Sequence, residues 1–238
     1  MCTFLSALVL RNGDLVCDPE HSDSHEDLVA SLGLRDDQVS NHLESFCRVE
    51  FTPPRDHSLV SDLSKWNLKL DEENKPSWFS EEKVRQQLEN LVSRHVVSDK
   101  RNLLLGDWWI LVGEANVKVV KNSRIVAMYD SSQVGSMHDS SRVGEMYNSS
   151  QVGDMYDSSQ VIVMSDSSQV GKMYGSSRVV LMRDSSQVIV MSDSSRVGEM
   201  YNSSRVGEMN YSSQVGSMYY SSRVVGMYGS SQIDNIYG

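Results

Sequence analysis

The sequence predicts an α+β N-terminal domain followed by an all-β solenoid, a β-helix of thirteen nine-residue repeats. Three observations lead there. Residues 121–237 repeat as x-Ser-Ser-Gln/Arg-Val-x-x-Met-x, as in Asp139-Ser-Ser-Arg-Val-Gly-Glu-Met-Tyr147. Within the repeat, Ser at the third position, Val or Ile at the fifth and Met at the eighth are nearly fixed. The composition also changes near residue 113: every Trp, Phe, Pro and Cys lies before it and every Tyr after it. The expected division is therefore a small acidic domain over residues 1–112 and a solenoid over 113–238, with 113–120 as an irregular first rung.

A short fixed period means that each unit is too small to bury its own apolar side chains and must stack on its neighbours. Every Met after Met1 occupies the eighth position, from Met128 to Met227, and Ile236 replaces it in the last unit. These residues, with the Val and Ser columns, are expected inside. A helix is excluded, because nine residues turn it through about two and a half revolutions and would scatter Val and Met of alternate units onto opposite faces. Extended structure fits, since Ser and Val two apart share a strand face. Asp, Asn or Gly at the first position and Gly at the sixth supply bends. The buried Ser column, Ser123 through Ser231, needs partners and is expected to bond to adjacent coils.

Coil size is open at this level. Two units per turn give an 18-residue coil and three give a 27-residue one. The identical dodecamers Asp157–Ser168 and Asp184–Ser195 lie 27 apart, which favours three, although a recent duplication leaves the same trace.

In the front half, Thr3–Arg11, Asn12-Gly13-Asp14 and Leu15–Asp18 read as a hairpin, Asn-Gly being a strong turn signal. Ser24-His25-Glu26-Asp27 resembles a capping box, with Leu28, Val29 and Leu32 at helical spacing before Gly33. Phe46–Phe51 alternates as a strand ahead of Pro53-Pro54, and Trp66, Leu68 and Leu70 mark another. A second helix is expected over about 80–97, with Val84, Leu88, Leu91, Val92 and Val96 on one face and Glu81 and Glu82 at its positive end. The order β-β-α-β-β-α implies a small α+β domain. Asp107–Val112 reads as a strand leading into the solenoid, with Trp108 and Trp109 covering its apolar end. Ala115, Val117 and Val120 anticipate Ser123, Ile125 and Met128 with a shift of eight.

From Lys121 onward nine Lys/Arg face eleven Asp/Glu, so of the net charge of −10 only −2 belongs to the repeats and −8 to the front. No long apolar run or leader-like segment opens the chain, so no membrane association and a cytoplasmic location are expected. Cys2, Cys17 and Cys47 are an odd number without metal-like spacing and read as reduced thiols.

Three places invite chemistry. Loss of Met1 would give Cys2 a thiol and an α-amine, and Met-Cys-Thr before an apolar strand resembles the opening of N-terminal-nucleophile amidohydrolases. The front domain is short for that fold, so this stands as an alternative. Asp18–Asp27 holds two His and five carboxylates, donors able to take a divalent metal, but an acidic loop feeding a capped helix explains them and no metal is expected. His95 and Cys47 read as structural. No catalytic residue and no cofactor are assigned.

On the repeats, Tyr recurs at the ninth position in Tyr129, Tyr147, Tyr156, Tyr174, Tyr201, Tyr219, Tyr228 and Tyr237. Read as a stripe, these form a protein-contact surface, Tyr being enriched at interfaces. Tyr beside Arg also suits single-stranded nucleic acid, but the repeats carry no positive surplus. Arg142, Arg196 and Arg205 sit three residues from Glu145, Glu199 and Glu208, which suggests local ion pairing. A nucleic-acid-binding or DNA-mimicking rod is thus an alternative only. The far end shows no polar cap, so self-association there through Tyr220, Ile233 and Ile236 is expected.

The nine-residue units joined to a small α+β domain resemble uncharacterised nonapeptide-repeat β-solenoid proteins of bacteria and their phages. The likeness covers most of the chain and implies no defined activity. The calcium-binding β-roll differs, since Gly-Gly-x-Gly-x-Asp is missing. The expected function is non-enzymatic: a binding or scaffold protein that associates with itself and presents a repetitive face to a protein partner. If that partner belongs to a host system, an inhibitor or decoy role follows from the resemblance.

Overall fold

A computed structural model describes residues 5–19, 21–22, 24–34 and 45–238. The chain divides into two compact units, Met1–His95 and Val96–Gly238.

In the first unit, β1 (Leu5–Leu10) and β2 (Leu15–Val16) form the expected hairpin, with Leu8 opposite Val16. The helix α1 (His25–Ser31) starts at Ser24, whose hydroxyl accepts from the Glu26 and Asp27 amides. It stops before Gly33, where φ is +61°, the left-handed conformation that glycine adopts without steric cost. β3 (Phe46–Thr52) pairs with β1, and β4 (Asn67–Leu70) with β3, giving an antiparallel sheet in the order β2-β1-β3-β4. Between β3 and β4 the chain makes two short 3-10 turns capped by Asp56 and Asp62. Trp66 is buried there, its indole N–H donating to the Val60 carbonyl at 2.9 Å and its ring 5.1 Å from that of Phe51.

The second helix, α2 (Glu81–Ser93), buries Val84, Leu88 and Val92, a spacing of four that keeps them on one face. It is shorter than the sequence suggests. Val96, expected on its apolar face, lies with Val97 in a strand, β5 (Val96–Val97), where two β-branched residues favour extended backbone.

That strand opens the solenoid, so the domain boundary expected at 112/113 falls inside it. β5, β6 (Lys100–Leu105) and β7 (Trp108–Leu111) already belong to its two parallel sheets. These strands lack the Ser-Ser-Gln/Arg-Val motif of the later coils. β8 (Asn116–Lys121), β9 (Arg124–Met128) and the strands from β10 (Gln133–His138) to β21 (Gln232–Tyr237) follow. Even-numbered strands form an eight-stranded sheet and odd-numbered strands a nine-stranded one, about eight turns in all.

The register settles coil size. Gln133 lies opposite Gln151, and Arg142 opposite Gln160, a step of 18 residues repeated to the end. The 27-residue coil is excluded: Asp157 precedes β13 (Gln160–Met164) and Asp184 precedes β16 (Gln187–Met191), strands of different sheets. The first turns are tighter. Val96 faces Ile110, Lys100 faces Asn116 and Asn116 faces Gln133, steps of 14, 16 and 17. Nor do the tryptophans lie on an end strand: β7 stands between β9 and β5, with Trp108 buried and Trp109 against the core.

Each corner turns on a left-handed residue at the first position of the unit, with φ near +55° from Asp130 to Tyr220. The amide of the third residue then donates to the carbonyl of the preceding ninth, as Ser132 does to Tyr129 at 3.1 Å. Ladder bonds continue through the corners, such as Ser149 amide to Asp130 carbonyl at 2.9 Å, so few backbone groups are orphaned there. The Val and Met columns form one continuous buried cluster. Strict alternation would send positions five and eight to opposite faces. The paired register skips the sixth residue in these strands, and both columns stay inside. Backbones approach closely at that point: a Cβ on Gly153 would stand 2.4 Å from the Gly135 carbonyl oxygen.

The serine column is buried as expected but bonded differently. Ser141 donates to His138 and Val120 carbonyls and Ser123 to Gly106 and Lys121 carbonyls. Hydroxyls from Ser132 and Ser150 to Ser213 make no such bond. The ladder between coils is carried by backbone amides and by corner carboxylates instead.

Candidate interaction surface

An 18-residue coil changes the meaning of the tyrosine pattern. Ninth-position residues alternate between two opposite edges of the solenoid, so the eight tyrosines are not one stripe. Tyr129, Tyr147, Tyr201, Tyr219 and Tyr237 end or follow odd-numbered strands, whereas Tyr156, Tyr174 and Tyr228 follow even-numbered ones. On the first edge Tyr129 stacks on Tyr147 at 5.3 Å, and Tyr201, Tyr219 and Tyr237 stack in turn at 4.5 and 4.8 Å. On the second, His138, Tyr156 and Tyr174 stack at 4.8 and 5.2 Å. Ser165 and Arg183 interrupt the first stack, Ser192 and Asn210 the second. Ring spacing follows strand spacing, about 4.8 Å, which suits offset stacking. Tyr129 is buried and cannot serve as a contact residue, while Tyr228 and Tyr237 are exposed.

The phenols donate to carboxylates two residues back, Tyr147 to Glu145, Tyr156 to Asp154 and Tyr201 to Glu199. Burial pushes the Tyr129 and Tyr147 phenols above the ordinary tyrosine range, and desolvation with the Glu199 bond raises Tyr201 to about 12. These hydroxyls are therefore neutral donors at physiological pH.

Glu145 and Glu199 thus meet tyrosines, and the expected pairs with Arg142 and Arg196 do not form among the described residues; nor does Arg205 meet Glu208. The arginines instead stand in register with one another, Arg124 with Arg142, Arg178 with Arg196 and Arg205 with Arg223. Corner carboxylates are used structurally. Asp157 accepts the Asp139 amide at 3.1 Å and Asp166 the Asn148 amide at 2.9 Å.

Two corners depart from this rule. Tyr211 and Tyr220 occupy the left-handed position that Asp, Asn or Gly fill elsewhere, with φ of 56° and 57°. An L residue with a bulky side chain adopts that conformation at a cost of about 1–2 kcal/mol, and both rings are exposed. In the sequence, Tyr211 is marked only by its place at the head of a unit, where Asp, Asn or Gly stands in most others.

The last coil exposes several apolar side chains, as β6 does at the other end with Leu103 and Leu105. Val225, Met227, Ile236 and Tyr237 are 50%, 43%, 71% and 49% exposed. β20 (Arg223–Met227) and β21 each have a strand neighbour on one side only. Of the residues expected to self-associate, Tyr220 and Ile236 are exposed, and Ile233 packs against the core cluster.

In the first unit, Cys2 lies outside the described residues, as do Glu20 and Asp23 of the acidic loop. His21 contacts Asp18 at 2.9 Å, and His25 is buried with its ring on the Val49 carbonyl at 3.0 Å. Among the described residues no three His, Cys, Asp or Glu side chains converge as a metal site. His95 bonds the Leu91 carbonyl. Burial, aided by Asp18 and Glu72, pushes the Cys17 and Cys47 thiols up to about 11 and about 12, leaving both protonated and poor nucleophiles. Two clefts flank the Asn12-Gly13 turn and α2; their linings hold no His or Cys and a single carboxylate, Asp14. No described helix is long and apolar enough to cross a membrane.

No protein-family model, curated protein or solved structure is significantly similar to the chain.

Proposed function

We propose that the protein is a non-enzymatic binding or scaffold protein of the cytoplasm. Its thirteen nine-residue units build a solenoid that associates with itself through the C-terminal coil and displays its edges to a protein partner. The observation that carries this reading is the last coil, where residues of the interior columns and two strand edges are left uncovered together. Soluble proteins blunt or cover such edges, and exposed contiguous apolar surface marks an interaction site. Stacked tyrosines and in-register arginines along the edges supply rigid aromatic and cationic contacts of the kind enriched at interfaces. The inhibitor or decoy role rests on the resemblance to phage and bacterial repeat proteins. Light scattering on the full chain across a concentration series tests self-association: a mass per particle above that of one chain is expected, and a monomer at every concentration overturns the reading.

A further inference from the structure

Resting on self-association through the C-terminal coil, we infer that the occupant is one second copy, docked tail to tail about a two-fold axis parallel to the strands. In this dimer β20 of each copy pairs antiparallel with β21 of the other.

The shape of the end selects this arrangement. β21 begins half a turn after β20, so along the solenoid axis it stands higher by about half of the 4.8 Å strand spacing. The end is a step, not a plane. A two-fold axis that set β21 against β21 would leave the two β20 strands about 9.6 Å apart, twice the spacing a ladder needs. An axis running along the strands instead brings the high strand of each copy over the low strand of the other. Both gaps then close at one spacing, and all four edges are paired.

Side-chain register agrees. Val224 and Met227 continue the inward columns above Val206 and Met209. Ile233 and Ile236 continue those above Val215 and Met218. In each strand the two inward residues are three apart. Antiparallel pairing therefore places Val224 opposite Ile236 and Met227 opposite Ile233 in a single register, joining the two cores. The same register puts Arg223 beside Tyr237 and Val225 opposite Asn235. Tyr211 and Tyr220, at strained corners near this end, give exposed aromatic surface at its rim.

The opposite end of the solenoid does not fit as an alternative occupant. Of its two end strands, β6 is six residues long and exposes Leu103 and Leu105, but β5 is only two residues long against six in β21. Its turns step by 14 and 16 residues, not 18. A head-to-tail filament would set mismatched coils on each other.

The test uses the full chain with Val225→Cys and Asn235→Cys made separately. Under mild oxidation an equimolar mixture should give a dimer linked between positions 225 and 235, identified by mass spectrometry of the joined peptides, while each variant by itself does not link through its new thiol. Links joining 225 to 225 or 235 to 235 would overturn the proposed pairing while leaving self-association standing. A mass that grows without limit with concentration would likewise overturn it in favour of head-to-tail assembly. Monomer at every concentration would remove both. Ile236→Arg, at a residue 71% exposed in the single chain, should leave the circular-dichroism spectrum unchanged and weaken the dimer about 30-fold or more; unchanged dimerisation would also overturn the pairing.

Discussion

Tyr220 shows how one side chain can be set against its own backbone. Its corner is built for Asp, Asn or Gly, and the Asp or Asn elsewhere also accepts an amide from the preceding coil, which a tyrosine ring cannot do. Tyr220→Asn and Tyr211→Asn should each stabilise the solenoid by about 1 kcal/mol, measured by chemical denaturation, while weakening self-association. A loss of stability would show that the rings are packed for the fold. The buried serines supply a second contrast. Ser141→Ala removes two carbonyl partners and should cost about 1 kcal/mol. Ser168→Ala removes a hydroxyl without one and should cost less or nothing, as read from the same denaturation curves.

At the scale of the strand, the sixth position lets a five-residue element turn two residues three apart to the same side. Gly135, Gly153 and Gly171 follow one another in one sheet, each close against a carbonyl of the preceding coil, those of Lys118, Gly135 and Gly153 in turn. Gly153→Ala should therefore destabilise the solenoid by about 1–3 kcal/mol, seen as a lower denaturation midpoint. The tyrosine stacks govern the alkaline limit. The Tyr129, Tyr147 and Tyr201 phenols are raised above the ordinary value of 10.0 in the folded chain. Above about pH 10 the unfolded chain loses phenolic protons that the folded chain keeps, so stability falls as pH rises and is fully present below that point. Thermal midpoints measured between pH 8 and 11 should decline over the upper part of that range.

For the molecule as a whole, the solenoid must be read from Val96 and not from Gly113. A fragment spanning 113–238 lacks β5, β6 and β7, leaving Val117 and Ile125 without the coil that covers them. It should melt below a fragment spanning 96–238, because stability in a stacked array is close to a sum of nearest-neighbour interfaces. Equal midpoints would return the boundary to 112.

What the sequence by itself determined were the inward columns and the corners. Val134, Met137 and Ser132 recur every nine residues, and Asp139 or Asn148 heads a unit, whatever the closure of the coil. It could not fix that closure, since 18 and 27 are both multiples of nine. The identical dodecamers pointed to the wrong one because copying a segment leaves its own period. Only the tertiary structure chose, by pairing Gln133 with Gln151 across two units, and that choice moved the tyrosines from one stripe to two edges. It also revealed the tight first turns, whose strands share no motif with the repeats and are recognised by the hydrogen bonds they make with strands distant in sequence.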